Sequence, residues 1–218
     1  VERRAAALEQ AAQAWLLAGN PQRAQANLTT ALALRPGDAE LLVSRAIARA
    51  SAADYWNAVD DLNLVIEARP DRLDALVLRA TAYRYLDSLD LARQDAERAV
   101  ALAPNKVLLR LGLGQAQVSV EDDRYIQAAV DNMGRAVRLA PGNPSAWRWL
   151  GMALGRKGDV GQASLATAER YYLTGKFRDA VGQAARAEHV LPKGSPGWLR
   201  AQDLKVAAEQ RIKRKKQR

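Results

Sequence analysis

Apolar residues recur along this chain at intervals of three and four, the spacing of one face of an α-helix, and not in the alternation of a strand. In AWRWLGMALGRKGD, Trp147, Leu150 and Leu154 fall on one stripe while Arg148 points elsewhere. Stripes of this kind, closed by proline and glycine turn signals, predict helix pairs over 5–18 with 21–34, 39–52 with 55–68 and 73–86 with 89–102. The pattern continues over 106–119 with 122–139 and then through 145–156, 160–173, 176–190 and 196–212, about twelve helices in all. The expected fold class is all-α.

The pairs repeat. LALRPGDA, IEARPDRL and ALAPNKV place prolines at 36, 70 and 104, 34 residues apart each time. Other columns keep step with these prolines. Ala24, Ala58 and Ala92 share one place in the unit, and Ala31, Val65 and Ala99 share another. Earlier in the unit, Leu8, Leu42 and Leu76 form a third column and Ala12, Ala46 and Ala80 a fourth. Small residues in fixed columns let two helices cross closely, so each unit reads as an antiparallel pair that a proline closes. A fixed period of this length is the signature of stacked supersecondary units.

These columns resemble the tetratricopeptide repeat, whose pattern W-x2-L-G-x2-Y, then A-x3-F, then P runs over about 34 residues. The first three units carry leucine in the W place and alanine in the G place, with Trp15 and Tyr83 in the Y place and Arg49 departing from it. PSAWRWLGMALGRKGD fits best, with Trp147, Leu150, Gly151 and Leu154 in the W, L, G and Y places. The resemblance implies a right-handed superhelical solenoid in which Trp147 is a core residue, while Trp149 packs against a neighbouring repeat. Two irregularities interrupt the period. Pro104 and Pro141 are 37 residues apart, the excess falling in VEDDRY, and Gly158 and Gly175 are only 17 apart, half a repeat. The expected organisation is three regular repeats over 1–104, irregular repeats with a half-repeat over 105–194, and a terminal capping helix with a basic tail over 195–218.

NKVLLRLGLGQAQ, AWRWLGMALGRKGD and LPKGSPGWLRAQDL, within residues 105–204, are similar to the C-terminal repeat domain of bacterial envelope zinc metalloproteases of the β-barrel assembly-enhancing type. That likeness implies an envelope, periplasmic setting in protein quality control, with the cytoplasm as the alternative. The protease's H-E-x-x-H is absent, and the sole histidine is His189 in RAEHVLP. Residues 1–104 share only the general repeat pattern, so natural or engineered joining near Pro104 is the reading that follows.

Composition narrows the function. The 218 residues include no cysteine, so thiolate metal sites and a cysteine nucleophile are excluded. Phosphate-loop, dinucleotide and serine-elbow motifs do not occur, and the glycines of LGLGQAQ lie inside a helical pattern. The expectation is a protein that is not an enzyme and uses no catalytic residue, cofactor or metal. No apolar run approaches the roughly 18 residues that span a bilayer, so membrane insertion is not expected. A chain opening on Val1 reads as a processed product or excised fragment, and a missing leader therefore says nothing of compartment. Of the formal charge of +9, RIKRKKQR at 211–218 supplies six, leaving the other 210 residues nearly balanced. A terminal tail is not a basic stripe with readers, so nucleic acid is not the expected partner, and the tail reads as dispensable for folding.

The tetratricopeptide resemblance places a partner-binding groove on the first helices of the pairs. Carried over position by position, it names Glu9, Gln13, Val43, Ile47, Val77, Thr81, Arg84, Leu111, Gln115, Val118, Arg148 and Met152 as groove residues. The centre is apolar and kept near water. The lysines and asparagines that grip a terminal carboxylate in other tetratricopeptide domains are missing, though Arg84, Arg148 and Arg156 offer charge to an acidic partner. The expected function is a non-catalytic scaffold that binds a peptide or partner protein. The alternatives are a cytoplasmic adaptor of the same fold, or a self-associating, homo-oligomeric repeat protein of engineered or chimeric origin.

Overall fold

The structure is a computed structural model that describes residues 1–120 and 122–216, with side chains through 215. Among the described residues every regular element is helical: α1 (Glu2–Leu17), α2 (Pro21–Leu34), α3 (Ala39–Ser51), α4 (Tyr55–Ala68), α5 (Leu73–Tyr85), α6 (Leu89–Leu102), α7 (Val107–Ser119), α8 (Ile126–Leu139), α9 (Pro144–Arg156), α10 (Val160–Leu173), α11 (Phe177–Val190) and α12 (Pro196–Lys216). They form two compact units, Val1–Ala103 and Pro104–Arg218.

In the first unit each helix packs on its chain neighbours, from α1 on α2 to α5 on α6, and α3 also lies beside α5. The alanine columns explain the spacing. Ala12, Ala46, Ala24, Ala58, Ala92, Ala31 and Ala99 are all buried, whereas Ala80 is only half-buried, so the third crossing is looser than the repeat pattern implies. A second buried column carries the stacking of pair on pair: Leu41 and Ala48 in α3, and Ala75 and Ala82 in α5. Turns recur with the same backbone. Gly19, Ala53 and Asp87 hold the same place in successive repeats and all adopt the left-handed conformation, at φ of 72°, 59° and 56°. Helix starts are capped where the side chain suits, as when Asp38 accepts hydrogen bonds from the amides of Glu40 and Leu41.

In the second unit the lengthened turn resolves into a single 3-10 turn, Asp123–Tyr125, and α8 begins at Ile126, later than the sequence pattern suggests. Asp122 stops the helix from starting earlier, because its carboxylate accepts from the amide of Arg124 and holds the chain in that turn. Trp147 and Trp149 both pack on a core of Met133, Ala136, Val137, Ala146, Leu150, Leu154 and Ala166. Trp149 also covers Val118, Ala129 and Ala153, the first two from the preceding pair. Beyond α9 the phase slips by half a repeat. Helix α10 packs on α9, yet it also lies beside α12 as α7 lies beside α9, so it serves as second helix to one pair and first helix to the next. Leu165 and Ala168 of α10, Ala184 and Ala187 of α11, and Ala201 and Leu204 of α12 close the last core.

The terminal helix expected over 196–212 runs on through the basic segment: α12 continues to Lys216, with the side chains of Arg211, Lys213, Arg214 and Lys215 exposed. Ile212 is half-buried and Lys215 places its ammonium 5.2 Å from the ring centre of Phe177, so this turn packs against α11. The last two residues of the basic segment, 217 and 218, lie outside the described residues.

Candidate functional site

The proposed groove residues divide by exposure. Gln13, Ile47, Thr81, Arg148 and Met152 are exposed, and Glu9, Val77, Arg84, Leu111 and Gln115 are half-buried. Val43 and Val118 are not near water: they are 7% and 5% exposed. Val118 belongs to the core with Ala129, Ala153 and Trp149, and Val43 sits on α3, the one first helix of its unit with a helix pair on either side. Arg156 is likewise structural. Its Nη1 donates to the carbonyls of Val118 and Val120, and Nη2 meets Asp123 at 3.0 Å, so it ties the lengthened turn to α9 instead of waiting for an acidic partner.

The carboxylates of this face are also engaged. Arg72 reaches both Glu40 and Asp74, at 2.8 Å each, and these hydrogen bonds hold both carboxyls below their ordinary range. Glu9 meets Arg35 at 3.3 Å. Beside the polar Gln13, Thr81 and Arg148, the first helices also leave large apolar side chains in solvent: Ile47, Tyr85, Leu108 and Met152 are 38%, 59%, 78% and 43% exposed. Tyr85 and Leu108 were not among the residues that the repeat pattern names. Leu108 lies one turn before Leu111 on α7, and only the same column in Glu40 and Asp74, which is polar, argued against it.

In the first unit the face contains a cleft of about 270 Å³ between α3, α4 and α5. Ala46, Ile47, Ala50 and Ser51 line one wall, Tyr55, Ala58 and Leu62 the floor, and Leu78, Thr81, Ala82 and Tyr85 the other wall. Tyr55 and Tyr85 stack at its edge, with ring centres 4.7 Å apart and planes within 5°. The Arg84 guanidinium lies 5.1 Å from the Tyr85 ring centre.

Beneath the face run buried charge pairs. The buried Asp61 carboxylate accepts from Arg45 Nε at 3.0 Å and Nη2 at 2.6 Å, and Arg49 Nη1 lies 2.6 Å from it. One repeat on, Asp95 accepts from Arg79 Nε at 2.7 Å and Nη2 at 2.8 Å, which raises the arginine's pKa. In the second unit Asn132 occupies the corresponding place. Its Oδ1 accepts from Arg110 Nη1 at 3.0 Å, and its Nδ2 donates to Gln117. Arg110 is buried and its Nε has no hydrogen-bond partner. Burial, with Arg135 nearby, lowers its pKa. At the far end Glu169, also buried, is gripped by Arg200 Nε and Nη2 at 2.6 and 3.0 Å.

Charge is uneven between the units. Residues 1–103 hold 12 arginines and 14 acids, whereas residues 170–218 alone hold 13 Lys and Arg against four acids. Basicity therefore gathers around the α11–α12 end, where Lys176, Arg178 and Lys215 border a cleft of about 550 Å³ with Phe177 and Ile212. Among the described residues no three of His, Asp and Glu come close enough to hold a metal ion. His189 is exposed at the end of α11, and among the described residues no helix is long and apolar enough to cross a membrane.

No family model matches the chain, and no curated protein matches it. Solved structures do. MamA of Desulfovibrio magneticus RS-1, from its residue 41 to the end, is 26% identical and superposes with a TM-score of 0.73 over 78% of this chain and 95% of that one. YrrB, a tetratricopeptide protein, is 18% identical with a TM-score of 0.69 over 80% of this chain and 89% of its own. MamA from MSR-1 is 16% identical with a TM-score of 0.64, and the match takes in 94% of this chain and 98% of that one. The two more distant likenesses concern the fold alone, and none of the three extends to the metalloprotease likeness of residues 105–204. In its 34-residue period, its alanine crossings and its stacked helix pairs, the chain has the fold of a tetratricopeptide-repeat protein.

Proposed function

We propose that this protein is a non-catalytic scaffold that binds a peptide or partner protein on the first-helix faces of its repeats. One observation carries the reading. The first helices hold Ile47, Tyr85, Leu108 and Met152 in solvent, and although second helices also expose Trp56 and Leu64, Ile47 and Tyr85 border a concave apolar cleft, the shape that a partner's side chain can fill. Glu9, Glu40 and Asp74 are each paired with Arg35 or Arg72, which reduces the negative charge that an incoming apolar segment meets. YrrB is described as having an unusual peptide-binding site, and its likeness in fold supports a peptide as the occupant. The likeness of residues 105–204 to envelope repeat domains favours the bacterial envelope as the setting; fractionating the source cells with an antibody to this chain tests that separately.

The test of the scaffold is site-specific photo-crosslinking in cells. A crosslinker at Ile47, Leu108 or Met152 should capture partner protein, and one at Trp56 or Leu64, exposed on the second helix α4, should not. Capture confined to Trp56 and Leu64 would move the binding face to the second helices and overturn the reading.

A further inference from the structure

We propose that the cleft between α3, α4 and α5 is an anchor site for one bulky apolar side chain of a bound peptide, with Arg84 at its rim meeting an acidic residue beside that anchor. The proposal deepens the scaffold reading and rests on it. At about 270 Å³ the cleft falls just below the roughly 300–1,000 Å³ of pockets that enclose drug-sized ligands, a size suited to a side chain and not a whole cofactor.

Its lining selects the chemistry. Ile47, Ala50 and Leu78 present only carbon, and the two aliphatic hydroxyls of the lining are already used as donors: Ser51 Oγ donates to the carbonyl of Ile47, and Thr81 Oγ1 donates to that of Val77, each at 2.8 Å. A polar side chain entering here would lose its water and find those hydroxyl protons committed, which disfavours it; an apolar one has no such loss. The stacked Tyr55 and Tyr85 give the edge a flat aromatic surface, yet Tyr85 remains largely exposed. Aromatic side chains that are rigid and half-desolvated are what peptide-binding hot spots are built from.

Charge fixes the flank. The nearby arginines of α3 are committed, since Arg45 and Arg49 both bind Asp61. Arg84 differs: it rests on the Tyr85 ring and makes no ion pair among the described residues. A guanidinium stacked on an aromatic ring keeps its edge free to bind a carboxylate, so the side chain next to the anchor is aspartate or glutamate.

The experiment selects a phage-displayed library of random dodecapeptides on the full chain, then measures the affinity of the enriched peptides by fluorescence anisotropy for the parent and for Ala50→Phe, Tyr85→Ser, Arg84→Glu and Met152→Glu. Ala50→Phe fills the cleft from within, and thermal melts establish that each variant is folded; should it fail to fold, Tyr85→Ser carries the test. The expected result is a shared bulky apolar residue flanked by acids. Ala50→Phe, Tyr85→Ser and Arg84→Glu should each weaken binding about tenfold or more, and Met152→Glu, in the other unit, should not. Peptides that bind equally well to the cleft variants would overturn the anchor site while leaving the scaffold reading in place. Enrichment no greater than on an unrelated protein would overturn both.

Discussion

Replacing Asn132 by aspartate should stabilise the protein, a reversal of the usual effect of burying a charge. Arg110 is already buried and cationic, its Nε lacks a partner, and the amide oxygen that faces it is neutral. In two repeats of the first unit an aspartate at the matching place grips, through both Nε and Nη2, an arginine that stands one helical turn later in its helix than Arg110 does. Changing the acceptor from amide to carboxylate turns a hydrogen bond worth about 1 kcal/mol into one worth roughly 1.5–3 kcal/mol, and supplying Nε adds about 1 kcal/mol more. Against this stand the desolvation of the new carboxylate, several kcal/mol in an unpaired site but largely offset beside a cation already desolvated, and the lost donation to Gln117, whose amide can turn to donate instead. The net expectation for Asn132→Asp is about 1 kcal/mol of added stability, or roughly 2–4 °C in Tm for a chain of this length. The mirror change, Asp95→Asn, leaves the Arg79 charge without its carboxylate, with only Asn63 and an amide oxygen as partners, and should cost about 3 kcal/mol.

Thermal and urea unfolding followed by far-ultraviolet circular dichroism measure both. The pH dependence is a second check. Arg110 would depress the folded-state pKa of the new aspartate below its unfolded value of about 3.9, so the gain is present above that value and disappears as pH falls through the lower one. A variant less stable than the parent at pH 7, or equally altered at pH 7 and pH 2, would show that Arg110 is satisfied by groups other than Asn132.

Gly112→Ala should stabilise α7 by about 0.5–1 kcal/mol because no atom stands near the added Cβ, whereas Gly114→Ala should destabilise by about 1–3 kcal/mol because its Cβ would strike the fully buried Met133 side chain; urea melts that rank the pair the other way refute the packing of α7 on α8. Ala53→Gly should gain roughly 0.5–1 kcal/mol by relieving an alanine at φ 59°, offset in part by the freer unfolded chain, and an unchanged or lower Tm would refute that turn conformation. Truncation after Gln210 should lower Tm measurably, by about 1 kcal/mol of stability, because it removes the half-buried Ile212 and the Lys215 ammonium from beside the Phe177 ring; an unchanged Tm would show that this segment is dispensable for folding.

How much of this could be read in the sequence follows from which interactions are local. Helix positions were legible because they are set by periodicity and by turn residues next to them in the chain: the pattern over 21–34, 55–68 and 89–102 matches α2, α4 and α6 to the residue. The alanine columns were legible because every repeat reuses one crossing. Exposure on the first-helix face was less so, for Val43 and Val118 are buried by their setting and not by their type. Val118 lies under Trp149 of the next pair and beside a turn held by Arg156. A carry-over from an ideal repeat has no place for that neighbour, since the extra residues of VEDDRY reposition the chain over this helix end. The same logic explains the tail. Six cations in eight residues look like a repelling, solvated run until Phe177 and the first turn of α11 are seen to lie where Ile212 and Lys215 can reach them.

The buried polar pairs were written in the sequence but needed the fold to be noticed. Arg45 and Arg79 stand 34 residues apart, as do Asp61 and Asp95, so two arginine–aspartate pairs at a constant separation of 16 residues were present in the linear pattern. Each departs from an apolar core, and a second-helix stripe read only for hydrophobicity passes over an inward aspartate. Their consequence is positional: an arginine that must reach across to one carboxylate fixes the angle between first and second helix more tightly than alanines in contact do, because the two-toothed hydrogen bond is directional and the alanine contact is not. In the first unit these arginines tie both walls of the α3–α4–α5 cleft to its floor: Arg45 joins α3 to α4 through Asp61, and Arg79, paired with Asp95 of α6, also donates to Asn63 of α4 at 2.7 Å. The Arg45–Asp61 pair thus sets the position of one apolar wall against the floor. Asp61→Asn should therefore weaken binding of the selected peptides at temperatures where far-ultraviolet circular dichroism still reports full helix content, and loss of both signals together would show that the pair supports the helices and not the cleft.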